Sequence, residues 1–596
     1  MRKQIYFNLL KTWLDALLKY QLSHENMPET DGALLCPACM VVHGRCHDAV
    51  YPLIYMAEQT GDPKYLKAAK KLFAWAEHLL CDNGGFYNDA QSQWQGITAF
   101  SAVALYDILR FHGHFIDAGW KAEIEERLRQ NSEWVYQNID LQSTININYL
   151  AAAAAVMAVS GKYFKREDYQ CRAGELAQLC RQHFTEDALI FGEGSPRQEI
   201  TPKGCRPVDI GYNVEETLPS LLLYAQTAGD QEVMAAVKES MHRHLAFMLP
   251  DGAWDNSMGS RSFKWTYWGS RTSDGCQAAY ALCHEQAVFQ EAADRNIELY
   301  QKCTHHGLLY GGPDYFVHGE KPCLHHSICH AKVLATVLNH GLPEFSGLKL
   351  PVETAKTVQY FKALDTYKIK KDQWYITFTG YDHPYMKGGH ASGGAITMLW
   401  HPLTGPVMLS GMTEYQLREP HNMQLSRQSK MHQSLTFRLT YYQGQTEYSS
   451  CEDFSVRLTV AETPDQVSVK AEGELKNSHH DGLADPIRYQ LDYQCYKDQI
   501  KINGRLLNVR QREVEVILPI IGRHTQAFIR QEKELIFDRV KARIRVFTDQ
   551  QIAEPEPVFS LVPGFEAWKI KIKPDQTDEF AVTIKIQEIK KEGKTL

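Results

Sequence analysis

The sequence predicts a multidomain α+β chain: an N-terminal toroid of α/α helical hairpins followed by a C-terminal antiparallel β-sandwich. Three observations carry this reading. Apolar residues recur at helical spacing over the first 345 or so of 596 residues, a glycine turn returns about every 50 residues, and the period switches to two after residue 350. The expected division is 1–345 for the toroid, 346–365 for a connector and 366–596 for the sandwich.

The elements follow in order. In MRKQIYFNLLKTWLDALLKYQL, Lys11, Asp15 and Lys19 interrupt the apolar run, so the segment reads as an amphipathic first helix rather than an export signal. HDAVYPLIYMAE (47–58) and YLKAAKKLFAWAEHLL (65–80) are helices about the turn TGDP (60–63); the second sets its lysines opposite its apolar face. Gly61, Gly113 and Gly161 each follow helical text, and a similar turn, TAGD, occupies 227–230 after the irregular insertion 189–211. Stacked hairpins make either an open solenoid or a closed toroid, and these lengths favour the toroid. Later, YITFTG (375–380), AITMLW (395–400), SLTFRLTYY (434–442), FSVRLTVAE (454–462), VSVKAEGEL (467–475) and FAVTIKIQEI (580–589) alternate apolar and polar residues as strands do.

Composition narrows the function. With 44% hydrophobic and 23% charged residues the chain is globular, and a net charge of −7 lacks the basic field that binds nucleic acid. The longest apolar stretch, Tyr149 to Val159, falls short of the ~20 residues a membrane span needs. Fourteen cysteines, many in helical text such as Cys171, Cys180, Cys276 and Cys283, read as reduced thiols and point to the cytoplasm; a removed leader would point to the periplasm instead. The 25 His, 11 Trp, 30 Tyr and 24 Phe suit a carbohydrate cleft.

Four motifs carry candidate chemistry. DGAWDNSMGSRSFKWTYWGSRTSDG (251–275) gathers Arg261, Trp265, Tyr267, Trp268, Arg271 and Asp274, which can stack on a sugar and grip a carboxylate. The competing reading is an inter-helix plug whose arginines pair with Asp255 and Asp274. In RPVDIGYNVEETLPSLLLYA, Tyr212 is a candidate acid or base, whereas Asn213 would equally serve as a helix cap with Glu215 and Glu216 in the first turn. In CLHHSICHAKVLATVL, His326 and His330 share a helix face and serve as core residues, proton carriers or zinc ligands, although no HExxH is present. In CPACMVVHGRCHDA, His43 and Arg45 suit a cleft-lining loop. Cys36, Cys39, His43, Cys46 and His47 also permit a zinc knuckle, but a second CxxC is missing. Asn148 in STININYL either polarises a carboxylate or caps a helix, and His383, His390 and Tyr415 are candidates for a cleft wall. There is no GxGxxG after a strand, no GxxxxGK[ST] and no GxSxG.

This order of toroid and sandwich resembles the heparinase II/III-like and alginate-lyase-like polysaccharide lyases. The KWTYWGSRTSDG and HGR segments look like a branch acting on rhamnose-capped glucuronate. The resemblance implies β-elimination on an acidic oligo- or polysaccharide. Asn148 or Asn213 would neutralise the uronate carboxylate, Tyr212 or His326 would act as base, and Tyr267 is a further candidate acid. ININY stands where the family often has an Asn-x-His pair. Such lyases require no cofactor, and neither catalytic metal nor structural zinc or calcium is supported by a complete motif. Two other functions compete: a toroid glycoside hydrolase with a carboxylate pair drawn from Asp209, Glu215, Asp255 and Asp274, and a noncatalytic glycan-binding protein.

Overall fold

The computed structural model describes all residues except 25, 89–92, 143–144, 195–198, 272–274, 346, 387, 414–432 and 590–596. Helices dominate to residue 340: α1 (Arg2–Leu17), α2 (Val50–Thr60), α3 (Pro63–Trp75), α4 (Thr98–Asp107), α5 (Ala118–Asn138), α6 (Ile147–Phe164), α7 (Glu167–Arg181), α8 (Ile210–Tyr212), α9 (Leu218–Ala228), α10 (Gln231–His244), α11 (Ala287–Lys302) and α12 (Leu324–His340). No helix among the described residues is long and apolar enough to cross a membrane.

Local chemistry sets the hairpins. Gly61 and Gly229 end α2 and α9 in the left-handed region, at φ +68° and +71°, where a side chain would be strained. Asp62 and Asp230 then cap α3 and α10 by accepting from Lys64 N and from Glu232 and Val233 N. Gly161 departs from the expected repeat: it lies inside α6, where a Cβ would come within 2.8 Å of Gln170 Cγ on α7. Its role is close helix approach rather than a turn. The alanines at 151–155 are buried on every face of α6 and allow the same close approach to its neighbours, among them α4, α7 and α9.

Two short two-stranded ladders, Trp265–Thr266 with Gly269–Ser270 and Thr304–His305 with Leu308–Leu309, lie among the helices, and the larger sheets begin with Val358–Phe361, inside the stretch expected to be connector. A five-stranded antiparallel meander continues through Thr366–Lys371, Trp374–Thr379, Ala395–His401 and Gly405–Leu409. An eight-stranded sheet centres on Gln499–Leu507 and Glu579–Glu588, and a six-stranded sheet on Val514–Ile521 and Phe565–Lys573. One core joins the three sheets, with Phe378, Tyr493 and Leu518 each contributing a buried face.

The helical and sheet regions also share a core, since Tyr381, Trp400, Leu561 and Phe565 pack with toroid residues. Buried polar contacts fix the joint. Lys203 Nζ donates to the carbonyls of Gly380 (2.5 Å) and Val456 and to Asp365 (3.2 Å). Lys368 Nζ lies 2.6 Å from Asp255, and Thr201 Oγ1 donates to Asp382 at 2.5 Å. The helical region is thus held against the sheets.

Candidate active site

Tyr212 closes the one-turn helix α8, which Asp209 caps: Oδ1 accepts from Tyr212 N (3.0 Å), while Oδ2 accepts from Arg261 N (2.9 Å) and Asn256 Nδ2 (3.0 Å). Asp209, not Asn213, is therefore the cap. The next turn, Asn213–Thr217, is a π-helix, a rare distortion that often re-aims side chains at functional sites. Arg261 lies over the Tyr212 ring with its guanidinium carbon 4.1 Å from the centroid, and Lys264 Nζ donates to the phenolic oxygen at 3.2 Å. Two cations thus converge on one buried phenol.

Around them stand two buried acids. Glu193 accepts from Arg261 Nη1 (3.0 Å) and Asn148 N (3.1 Å), and burial lifts its carboxyl to about 7 even though Arg261 opposes the shift. Glu216 accepts from Asn148 Nδ2 at 2.5 Å and also lines an axial cavity of about 110 Å³ between α4, α6, α9 and α12. Asn148 Oδ1 has no hydrogen-bond partner among the described residues.

The backbone N–H of Arg271 donates to Lys264 O at 2.9 Å, so the segment 261–271 links this group to a second one. There Arg271 Nη2 donates to Leu561 O (2.7 Å) from the sheet region. His326, the third residue of α12, is buried, and neither ring nitrogen has a hydrogen-bond partner among the described residues. Burial, and then the charge of Arg271, hold His326 well below the usual imidazole range, so it is neutral near pH 7. A wall from the sheet region meets the same segment: Tyr385 stacks on Phe263 at 5.2 Å, and Ser262 Oγ donates to Gly389 O.

Several expected site residues belong to the scaffold instead. Trp265 and Trp268 are fully buried, with indole N–H groups donating to Trp254 O and Tyr310 O, so neither presents a face to a sugar. Tyr267 donates to Asp251 (2.8 Å) and accepts from Trp400 Nε1 (3.0 Å) in the joint with the sheets; it is a strut rather than an acid. His330 packs edge-on to Trp13, Trp268 and Tyr300, with Nδ1 2.5 Å from His326 O. Asn213 Nδ2 donates to Ile190 O and lies 3.1 Å from His244 Nε2. His43 faces Cys39 Sγ at 2.9 Å, and Arg45 Nε donates to Asn88. Both are buried, as Tyr212 and His326 are. His383 and His390 are buried about Tyr381. Asp274 and Tyr415 lie outside the described residues.

Comparison with known proteins decides the family. The ulvan lyase N-terminal domain matches residues 10–351 and the ulvan lyase C-terminal domain residues 358–587. A broad-specificity ulvan lyase of Formosa agariphila is 35% identical over 96% of this chain and 92% of its own length. The chain belongs to the ulvan lyase family. As such it is a polysaccharide lyase, a carbon–oxygen lyase acting by β-elimination. Heparinase III, at 9% identity, superposes with a TM-score of 0.54 over 97% of this chain and 80% of its own. The Streptomyces coelicolor A3 chondroitin AC lyase, at 11% identity, gives 0.50 over 98% and 82%. These two share the α/α-toroid fold of this ulvan lyase family member.

Three of the four carboxylates considered for hydrolysis have partners within the scaffold, and the fourth, Asp274, lies outside the described residues. Asp209 caps α8, Asp255 is paired with Lys368, and Glu215 Oε2 accepts from Ser270 N. Lyases of this kind generally need no cofactor. Sequence reasoning passed over Lys264, although it sits inside the aromatic–arginine motif, and over Glu193, and it read Glu216 only as an acid in the first turn of a helix. A lysine between two aromatics reads as ordinary surface charge until the chain folds it beneath Tyr212.

Proposed function

We propose that this enzyme cleaves an ulvan-type acidic polysaccharide at a uronate, such as a glucuronate linked to rhamnose, with Tyr212 and His326 as its proton carriers. The observation that carries this reading is the phenol of Tyr212 held between Arg261 and Lys264. The C5 proton beside an ionised carboxylate is barely acidic, so the carboxylate must first meet positive charge. Both site asparagines donate inward, to Glu216 and to Ile190 O, which leaves that task to Arg271 and Lys264.

Burial is the larger cause that disfavours the His326 imidazolium, and a carboxylate docked on Arg271 offsets the next one, the Arg271 charge. Neutral His326 then takes the C5 proton, the C5–H pair becomes the C4–C5 double bond, and the C4–O4 bond breaks. The leaving oxygen takes the Tyr212 proton, and the phenolate left behind faces two cations. Proton return from His326 to Tyr212 through solvent resets the site.

Tyr212→Phe keeps the ring under Arg261 and deletes only the oxygen. Turnover followed by the ultraviolet band of the unsaturated uronate should fall ~10²–10³-fold in kcat, with KM little changed. A variant with wild-type kcat would remove Tyr212 from the reaction, and products lacking the double bond would instead reject elimination.

A further inference from the structure

We propose that Cys36, Cys39 and His43, joined by Cys323, hold a structural zinc ion that staples the first hairpin of the toroid to the last. Ligand atoms of Cys36, Cys39 and His43 all lie within 4.8 Å of one another in the buried interior. Cys323 Sγ is 3.6 Å from Cys36 Sγ across 287 residues of sequence. Tetrahedral zinc, with Zn–S of about 2.3 Å and Zn–N of about 2.0 Å, places two thiolate sulfurs ~3.8 Å apart and a sulfur and a ring nitrogen ~3.6 Å apart. The Cys36–Cys323 spacing meets this nearly as it stands. The Cys39–His43 contact of 2.9 Å would open by about 0.7 Å as the metal replaced the hydrogen bond.

The backbone is already shaped for such a site. Met40 N donates to Cys36 O at 2.9 Å, and Met40 adopts φ +56°, so the CxxC segment folds into a tight turn that aims both sulfurs inward. Cys323 is the N-cap of α12, its sulfur accepting from His325 N at 3.3 Å, an outer contact of the kind that orients thiolate ligands. Soft sulfur donors with one imidazole select zinc over magnesium or calcium. The sequence has no second CxxC because the fourth ligand comes from the other end of the toroid. His326 lies three residues beyond Cys323, so the ion would anchor the start of the helix that carries it.

The test is metal analysis of the full chain purified without chelators from zinc-supplied cells. About one zinc per chain is expected, surviving dialysis and released when a mercurial titrates the thiols. Added Co²⁺ should replace it and produce the intense thiolate-to-cobalt absorption of a sulfur-rich tetrahedral site. Cys36→Ser and Cys323→Ser should lose the metal. His524→Ala should retain it, which separates this site from the cluster of His318, His524 and Glu566. Because a ligand variant may fail to fold, the cobalt spectrum of the unaltered chain is an independent measurement. Zinc well below stoichiometry with no cobalt–thiolate band would overturn the proposal. So would a Cys36–Cys323 disulfide found by mass spectrometry, or metal that His524→Ala removes.

Discussion

Lys264→Met isolates the charge beneath Tyr212. Methionine preserves much of the length and apolar packing of the lysine stem beside Phe263, and deletes the ammonium 3.2 Å from the phenolic oxygen. A unit charge at that distance, with an effective dielectric near 20, interacts with a full phenolate by ~5 kcal/mol. The transition state carries only part of that charge, and Arg261 remains over the ring, so about 2–3 kcal/mol is the working figure. That corresponds to a loss of roughly 30- to 150-fold in kcat. Initial rates of unsaturated-uronate formation would be measured across pH, alongside the thermal midpoint of each variant. The loss should fall on kcat at every pH measured. A lowered thermal midpoint with kcat within threefold of wild type would mean that Lys264 only fills space, and the electrostatic account of Tyr212 would fail.

Two further outcomes follow from buried partners. Tyr267→Phe strands Asp251 and Trp400 and should cost about 1–3 kcal/mol of stability in urea titration while leaving kcat unaltered; a kcat loss comparable to that of Tyr212→Phe would return Tyr267 to the chemistry. Burial depresses His330 to about 3 and His244 and His390 to about 4, below the ordinary unfolded value of about 6.5. Unfolded chains therefore take up protons that the native state refuses: the contribution is complete above pH 6.5 and is lost as pH falls from there towards 4. His390→Gln should reduce the loss between pH 7 and pH 5 by roughly 2 kcal/mol, and an unchanged pH slope would show that His390 already protonates in the folded protein.

Periodicity made the fold class readable. The turns at Gly61 and Gly229 and the strands at 374–379, 395–401 and 466–474 stand close to where alternation and turn chemistry put them. The site was harder to read because residue type does not reveal direction. The tryptophans of 265–268 have the composition of a sugar platform, yet their N–H groups needed carbonyl partners and found them inside. Tyr212 was visible as a tyrosine at a helix start, but its two cations lie about fifty residues further along. The cap at Asp209, which binds Tyr212 N and Arg261 N with its two oxygens, helps to bring them together, beside the bonds from Ser260 N to Val208 O and from Ile210 N to Asn256. The π-turn after Tyr212 leaves no mark in composition.

The buried ammonium of Lys203 has a consequence for how a polymer is received. It is shared among Asp365 and the carbonyls of Gly380 and Val456, and no water can replace those contacts without first prising the helices from the sheets. A hinge at this seam would break all of them at once, so the joint between the helices and the sheets resists bending there. The burden of ordering then falls on the glycan, which has to surrender its torsional freedom to lie in a trough that does not bend to meet it. Selectivity on such a surface reflects the stiffness of the sugar chain as much as its charge, since linkages already near the bound shape surrender least.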